Sequence, residues 1–149
     1  MIFVTVGTTM AYDSLIQEMD ALVEQGQIQD RVVCQIGRGE YVPKHCEYFR
    51  FRPSIDDLID EAELVISHGG STVIALIAAG KRCVIMANKD AADSHQRDFL
   101  RLITKQIDIL WSEEVADLGS LIDKAYDADP SHKKLPSLAN DLIEYIGSI

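Results

Sequence analysis

A chain of 149 residues, 47% hydrophobic and 26% charged, suits one domain with a full core and excludes a disordered or fibrous protein. Its 24 acidic residues outnumber 14 basic ones, and the net charge of −10 argues against nucleic acid or an anionic membrane as a general partner, though not against a small local anion site. No apolar run is long enough to span a membrane, and the N-terminus enters a strand without the basic region of a signal peptide. Residues 1–7, MIFVTVG, read as a first strand buried on both faces. Residues 13–26 follow as a helix capped by Asp13, with Leu15, Ile16, Met19, Leu22 and Val23 on one face and Gly26 as the stop. RVVCQIG (31–37) is a second strand and CEYFRF (46–51) holds a short third one. A short helix follows at 54–62, with Ser54 as cap and Asp57 three residues on.

LVISH (64–68) and CVIMAN (83–88) are strands four and five. Between them runs TVIALIAA, a helix with no charged residue, and such a helix is expected to be buried all round. Its outer side is covered either by neighbouring helices of this domain or by a partner or second copy. Residues 93–106 form an amphipathic helix with Phe99, Leu100, Leu102 and Ile103 inward. DIL (108–110) is a weak sixth strand, and residues 118–128 are helical. After the polar break DADPSHKK a last helix covers 137–146. Cys34 and Cys83 lie in apolar runs and read as buried thiols. With Cys46 they make an odd count without metal spacing, which suits a reducing cytosol.

Alternating strands and helices imply right-handed crossovers and a Rossmann-like, doubly wound α/β fold with a mostly parallel sheet. Ligands of such sheets sit beyond the carboxyl ends of the strands, where VGTT and SHGGST both fall. The strand, glycine and helix sequence around Gly69 and Gly70 offers close backbone approach, free N–H groups and a positive dipole end, with hydroxyls from Ser71 and Thr72. A phosphate would fit there; so would a plain tight turn with a Ser/Thr cap. No Gly-Lys-Ser/Thr follows, and IGRGEY lacks the third glycine of a dinucleotide fingerprint.

MIFVTVGTT, VISHGGSTVIALIAAGK and NKDAADSHQRDF, in that order, resemble the C-terminal, donor-binding half of family 28 glycosyltransferases, within it the stand-alone subunits of the Alg13/PssE type. The resemblance covers residues 1 to about 105. It implies half of a B-type glycosyltransferase: residues 1–149 as a single donor-nucleotide-binding domain for a UDP-sugar, with a membrane-associated acceptor-binding subunit of the Alg14/PssD type as partner. By the same resemblance, transfer is inverting, needs neither metal nor cofactor, and goes to a lipid-linked acceptor in polysaccharide or glycan synthesis. The chain is then cytoplasmic and reaches the membrane face only through its partner.

Carried over by position, Gly7, Thr8 and Thr9 match the loop facing the diphosphate. His68, Gly69, Gly70, Ser71 and Thr72 match the loop and helix start that hold the phosphates. Asn88, Asp93, His95 and Gln96 match the stretch beside the ribose and sugar. The alternative for His68 is a ring bonded to a neighbouring backbone group, and for His95 a residue that orders its loop. Three positions depart from the family pattern. One glycine is missing before Ser71, Ala75 stands where many members carry a ribose-binding glutamate, and Arg82 stands where Gly-Lys-Pro is common. No catalytic base is evident, which agrees with its lying on the partner. A non-catalytic supporting subunit is the alternative reading; an unrelated Rossmann oxidoreductase is disfavoured by the missing fingerprint. The stripe Leu138, Leu142, Tyr145, Ile146 and Ile149 marks residues 137–149 either as a partner-docking helix or as a helix packed on this domain's own sheet.

Overall fold

The computed structural model describes residues 1–7, 10–69, 72–88, 95–105 and 109–127. The strands are β1 (Ile2–Thr5), β2 (Val32–Gln35), β3 (Glu47–Phe49), β4 (Leu64–Ser67), β5 (Cys83–Met86) and β6 (Leu110–Ser112). They form one sheet in the order β3-β2-β1-β4-β5-β6, and all the pairings are parallel. The described helices are α1 (Asp13–Glu24), α2 (Asp56–Glu61), α3 (Thr72–Ala79), α4 (His95–Thr104) and α5 (Leu118–Asp127), with a single 3-10 turn at Val115–Asp117. Every residue of β1, β2, β4 and β5 is buried. Helices on both faces leave these strands no wet side, which is why their sequences are apolar runs rather than alternating ones.

The two faces have separate cores. Ile2, Val4, Ile66 and Val84 meet α1 and α5 through Leu15, Met19, Leu118 and Ile122. Phe3, Val65 and Ile85 meet α2, α3 and α4 through Leu58, Leu76, Ile77, Leu100 and Ile103. The fold is therefore the doubly wound α/β one expected from the alternation of elements. The strand order reverses between β1 and β4, and the segments leaving those two strands lead to helices on opposite faces. That divergence opens a crevice at the carboxyl ends of β1 and β4.

Several local expectations change. Asp13 is already the first residue of α1, so Tyr12 stands at the cap position, without a side-chain cap. The Asp13 carboxylate instead accepts the N–H groups of Glu40 and Tyr41 at 3.3 and 3.4 Å, bracing the loop after β2. Ser54 accepts the Asp56 N–H at 3.2 Å from one position outside the cap, and Asp57 turns away to pair with Arg52. The sixth strand lies two residues later than DIL: Leu110, Trp111 and Ser112 pair with Val84, Ile85 and Met86 while Trp111 packs on the second core.

The bare helix α3 buries Val73, Leu76 and Ile77, and Ile74 is half-buried. Its outer side is Ala75, Ala78 and Ala79, all exposed. Alanine is the best helix former and presents little apolar area, so this helix needs no second cover. Cys34 and Cys83 are buried free thiols, as their surroundings predict. The helix expected at 137–146 and the docking stripe lie outside the described residues.

Asp20, 3% exposed on α1, is the most deeply buried acid among the described residues. The Tyr41 hydroxyl donates to it at 2.6 Å, and the N–H groups of Lys44 and His45 at 3.0 and 2.7 Å. Burial pushes its pKa up, but these hydrogen bonds together hold it below the usual carboxylate value. A depressed folded pKa contributes stability that is present above the unfolded value of about 3.9 and is lost as pH falls through the folded one. Asp20→Asn should therefore cost about 1.5–3 kcal/mol at neutral pH and flatten the acid side of the stability profile below about pH 4. Urea unfolding of parent and variant between neutral and acid pH measures both effects.

Candidate functional site at the β1–β4 crevice

Three central strands end in single polar residues. Thr5 of β1 sits in register with Gln35 of β2 on one side and Ser67 of β4 on the other. All three are buried, so each must find a partner within the protein. Thr5 Oγ1 donates to Gln35 Oε1 at 2.6 Å and accepts a long bond from the Gly7 N–H at 3.4 Å. Ser67 Oγ takes the Gly69 N–H at 3.4 Å and lies 3.3 Å from the Gly69 carbonyl. The two glycine corners are thus each held by the side chain two residues before them.

Gly7 and Gly69 both have positive φ, 78° and 106°. The corners touch through His68. A Cβ on Gly7 would lie 2.8 Å from His68 Cε1 and 3.0 Å from Nε2, closer than carbon atoms approach. His68 donates its backbone N–H to the Thr5 carbonyl at 3.3 Å. Its Nδ1 is buried without a hydrogen-bond partner among the described residues. Burial lowers the imidazole pKa below its ordinary 6.5, opposed by the Thr5 carbonyl, so the ring is neutral at neutral pH. A neutral imidazole beside a glycine corner adds one donor and one acceptor but no charge.

Further along, the Asn88 amide donates to the Ala11 carbonyl at 3.2 Å and the Tyr12 hydroxyl to the Ala87 carbonyl at 3.0 Å. Residues 11 and 12, which follow β1, are thereby tied to the end of β5, two strands away. The crevice is fixed on one side by the Thr5–Gln35 bond and on the other by this pair. Among the described residues no three His, Cys, Asp or Glu side chains gather as a metal ion would require. A concavity of about 330 Å³ lies at the other, amino end of the sheet. Asp30, Glu63 and Asp123 on its rim would repel a phosphate, so it is no substitute for the glycine corners.

Residues 1–140 match the glycosyltransferase family 28 C-terminal domain. The chain belongs to this family. It is 32% identical over 117 residues to the human UDP-N-acetylglucosamine transferase subunit ALG13, a match covering 70% of the chain, and 29% identical over 116 residues to the mouse protein of the same name. It spans about a tenth of the length of these curated relatives, the match covering 10% of each. Among solved structures, MurG of Acinetobacter baumannii superposes with a TM-score of 0.67 at 14% identity, over 100% of this chain and 52% of that one. An ALG13 solution structure superposes with a TM-score of 0.57 at 16% identity, over 86% of each chain. These likenesses concern the fold, one Rossmann-like half of a B-type glycosyltransferase.

The residues singled out from the sequence are only partly described. Gly7, His68 and Gly69 meet at the centre of the crevice, Thr72 opens α3, and Asn88 stands at the end of β5. His95 and Gln96 begin α4, and nothing is described of their side chains. Thr8, Thr9, Gly70, Ser71 and Asp93 lie outside the described residues. Sequence reasoning missed Thr5, Gln35, Ser67 and Tyr12. The first three had a signal, namely one polar residue closing each apolar run. Tyr12 had none, because its partner is 75 residues away.

Gly7→Ala should force a strained positive φ and push His68 aside, costing about 1–3 kcal/mol. The His68 titration, followed by NMR, should move from below 6.5 toward the ordinary value as the ring becomes solvated. In the parent, stability tied to His68 is full above the unfolded value near 6.5 and declines as pH falls toward the folded one. That decline should shrink in the variant.

Proposed function

We propose that this chain is the donor-binding subunit of a two-chain glycosyltransferase, holding a UDP-sugar at the β1–β4 crevice while a membrane-associated partner of the Alg14/PssD type holds a lipid-linked acceptor. The observation that carries the reading is the meeting of Gly7, His68 and Gly69, two glycines of positive φ and a neutral ring, at the topological switch point just before the start of α3. The relative named a UDP-N-acetylglucosamine transferase subunit supports both the nucleotide and the two-chain arrangement.

Chemically, breaking the sugar–phosphate bond places negative charge on the departing UDP. Backbone N–H groups from Gly70 to Thr72 and the positive end of α3 would stabilise that charge, each good donor contributing roughly 3 kcal/mol. Gly7, Thr8 and Thr9 would face the same diphosphate. Asn88, Asp93, His95 and Gln96 would line the ribose and sugar side. The neutral His68 ring would orient Gly7 without competing for the phosphate charge. The base that deprotonates the acceptor, and the other wall of the cleft, belong to the partner. On this reading transfer inverts the anomeric centre without a metal ion, and the chain works in the cytoplasm, peripheral at the membrane face through its partner.

One observation favours a second reading, a supporting subunit without nucleotide. Ala75 stands on the exposed side of α3 where many family members carry a ribose-binding glutamate. Calorimetric titration with UDP, UDP-sugars and NAD separates the readings. Saturable UDP binding, lost in Gly70→Val with an unchanged melting temperature, is expected. Binding of no nucleotide would leave the supporting role, and binding of NAD would displace both.

We also propose residues 137–149 as the docking helix. Deleting them should leave a folded chain that still binds UDP but no longer co-purifies with its partner. Joint loss of stability and UDP binding would instead mean that the stripe belongs to this domain's core.

A further inference from the structure

The chain's three cysteines are all free thiols, and the sheet divides them. Cys83 in β5 packs on the face that meets α3 and α4, with Phe3, Val65 and Ile85. Cys34 in β2 packs on the opposite face, toward α1, and Cys46 packs against that same core. Strand register is the reason. β2 and β3 run parallel with Cys34 level with Tyr48, and Cys46 stands two residues before Tyr48, so the alternation of side chains turns both thiols to one face. Phe49, the next residue in that alternation, goes the other way and stacks on Phe3 with ring centroids 6.3 Å apart.

The two thiols differ in access. Cys34 is fully buried, while Cys46 is half-buried and lies in the bend that enters β3 at Glu47. The nearby Cys46 thiol is the largest influence on Cys34; with burial and the Asp20 carboxylate it pushes the Cys34 thiol well above its ordinary value. A buried thiol held protonated is inert toward oxidants in solution, so the first reaction falls to Cys46. The bend is anchored just before Cys46, where Asp20 accepts the N–H groups of Lys44 and His45. Cys46 is thereby kept beside β2, yet outside the ladder of β3, where the backbone can adopt the Cα separation of about 6 Å that a disulfide requires.

We propose that Cys34 and Cys46 form an oxidisable dithiol site, which a hydroperoxide closes into a disulfide that ties the crossover between β2 and β3 to the sheet. In the first step the Cys46 sulfur gives two electrons to hydrogen peroxide, the O–O bond breaks, and Cys46 becomes a sulfenic acid as one water leaves. The Cys34 sulfur then attacks the Cys46 sulfur and the S–O bond breaks. The hydroxyl departs with the Cys34 proton as a second water. In the reduced chain the crossover is held on α1 by hydrogen bonds to Asp13 and Asp20; the disulfide adds a covalent hold from the sheet. The site is independent of the nucleotide reading.

Peptide mapping of the whole parent chain under non-reducing conditions, before and after hydrogen peroxide, tests this without any variant. The expected product is a peptide pair linked through Cys34 and Cys46, with Cys83 left as a free thiol and dithiothreitol restoring the starting state. Cys83→Ser should form the same bond. Cys34→Ser should instead hold a sulfenic acid on Cys46 that dimedone captures, and Cys46→Ser should leave Cys34 reduced, with circular dichroism confirming that each variant is folded. The oxidised parent should unfold at a higher urea concentration than the reduced one, a shift absent from Cys46→Ser. Thiols that stay free in peroxide, a bond to Cys83 or between chains, or sulfinic acid on Cys46 of the parent would overturn the proposal. A urea midpoint that does not rise on oxidation would overturn the hold on the crossover.

Discussion

His68 packs over Gly7 so closely that a Cβ there would lie 2.8 Å from Cε1, and the loops that meet at this contact leave neighbouring strands for opposite faces of the sheet. Any side chain at residue 7 would push them apart. Because the loops diverge beyond the contact, the chain has a crevice at all; because they touch at its base, the crevice has a fixed floor. Register does the rest. β1 lies parallel between β2 and β4 with Thr5 level with Gln35 and Ser67, so three buried polar ends fall in one layer under the glycines. A slip of one residue would turn each polar end toward the opposite core and leave its hydrogen-bonding groups unpaired.

The crevice is rigid on its inner side and incomplete on its outer side. Thr5 with Gln35, and Tyr12 with Ala87, pin the backbone across four strands from β2 to β5, so the proposed diphosphate would meet a corner that needs little reorganisation. Backbone donors suit a diphosphate because they carry partial positive charge without a counterion of their own. One domain, however, supplies one wall. On the proposed reading the facing wall and the general base would come from a second chain. Division between two chains would let the donor half remain a compact α/β unit.

Charge follows the same division of labour. Residues 31–52 and residues 64–89 each carry a net +3, and 22 of the 24 acids lie outside both stretches. Asp20 is the exception that holds the first of these stretches in shape: a buried carboxylate on α1 takes three hydrogen bonds from residues 41–45 and fixes the approach to β3. An acid is thus used structurally, its charge met by hydrogen bonds rather than by a cation.

The sequence alone carried the layered fold, because a buried parallel strand has to be an apolar run and a crossover helix has to show a 3.6-residue stripe. It also carried the two glycine corners, since Gly7 and Gly69 hold backbone angles that other residues adopt at a cost. Sequence reasoning misplaced what depends on distant partners. Asp13 has the chemistry of a cap but braces residues 40 and 41, and DIL gave way to LWS because Trp111 had a core to fill. The bare helix α3 looked as if it needed a cover on every side; its small outer residues let water supply it. Which polar residue meets which was decided only by tertiary structure. Thr5 and Gln35 are 30 residues apart, Tyr12 and Ala87 75, and local periodicity holds no information across such separations. The neutrality of His68 has the same origin, since its pKa follows from burial and burial belongs to the assembled sheet.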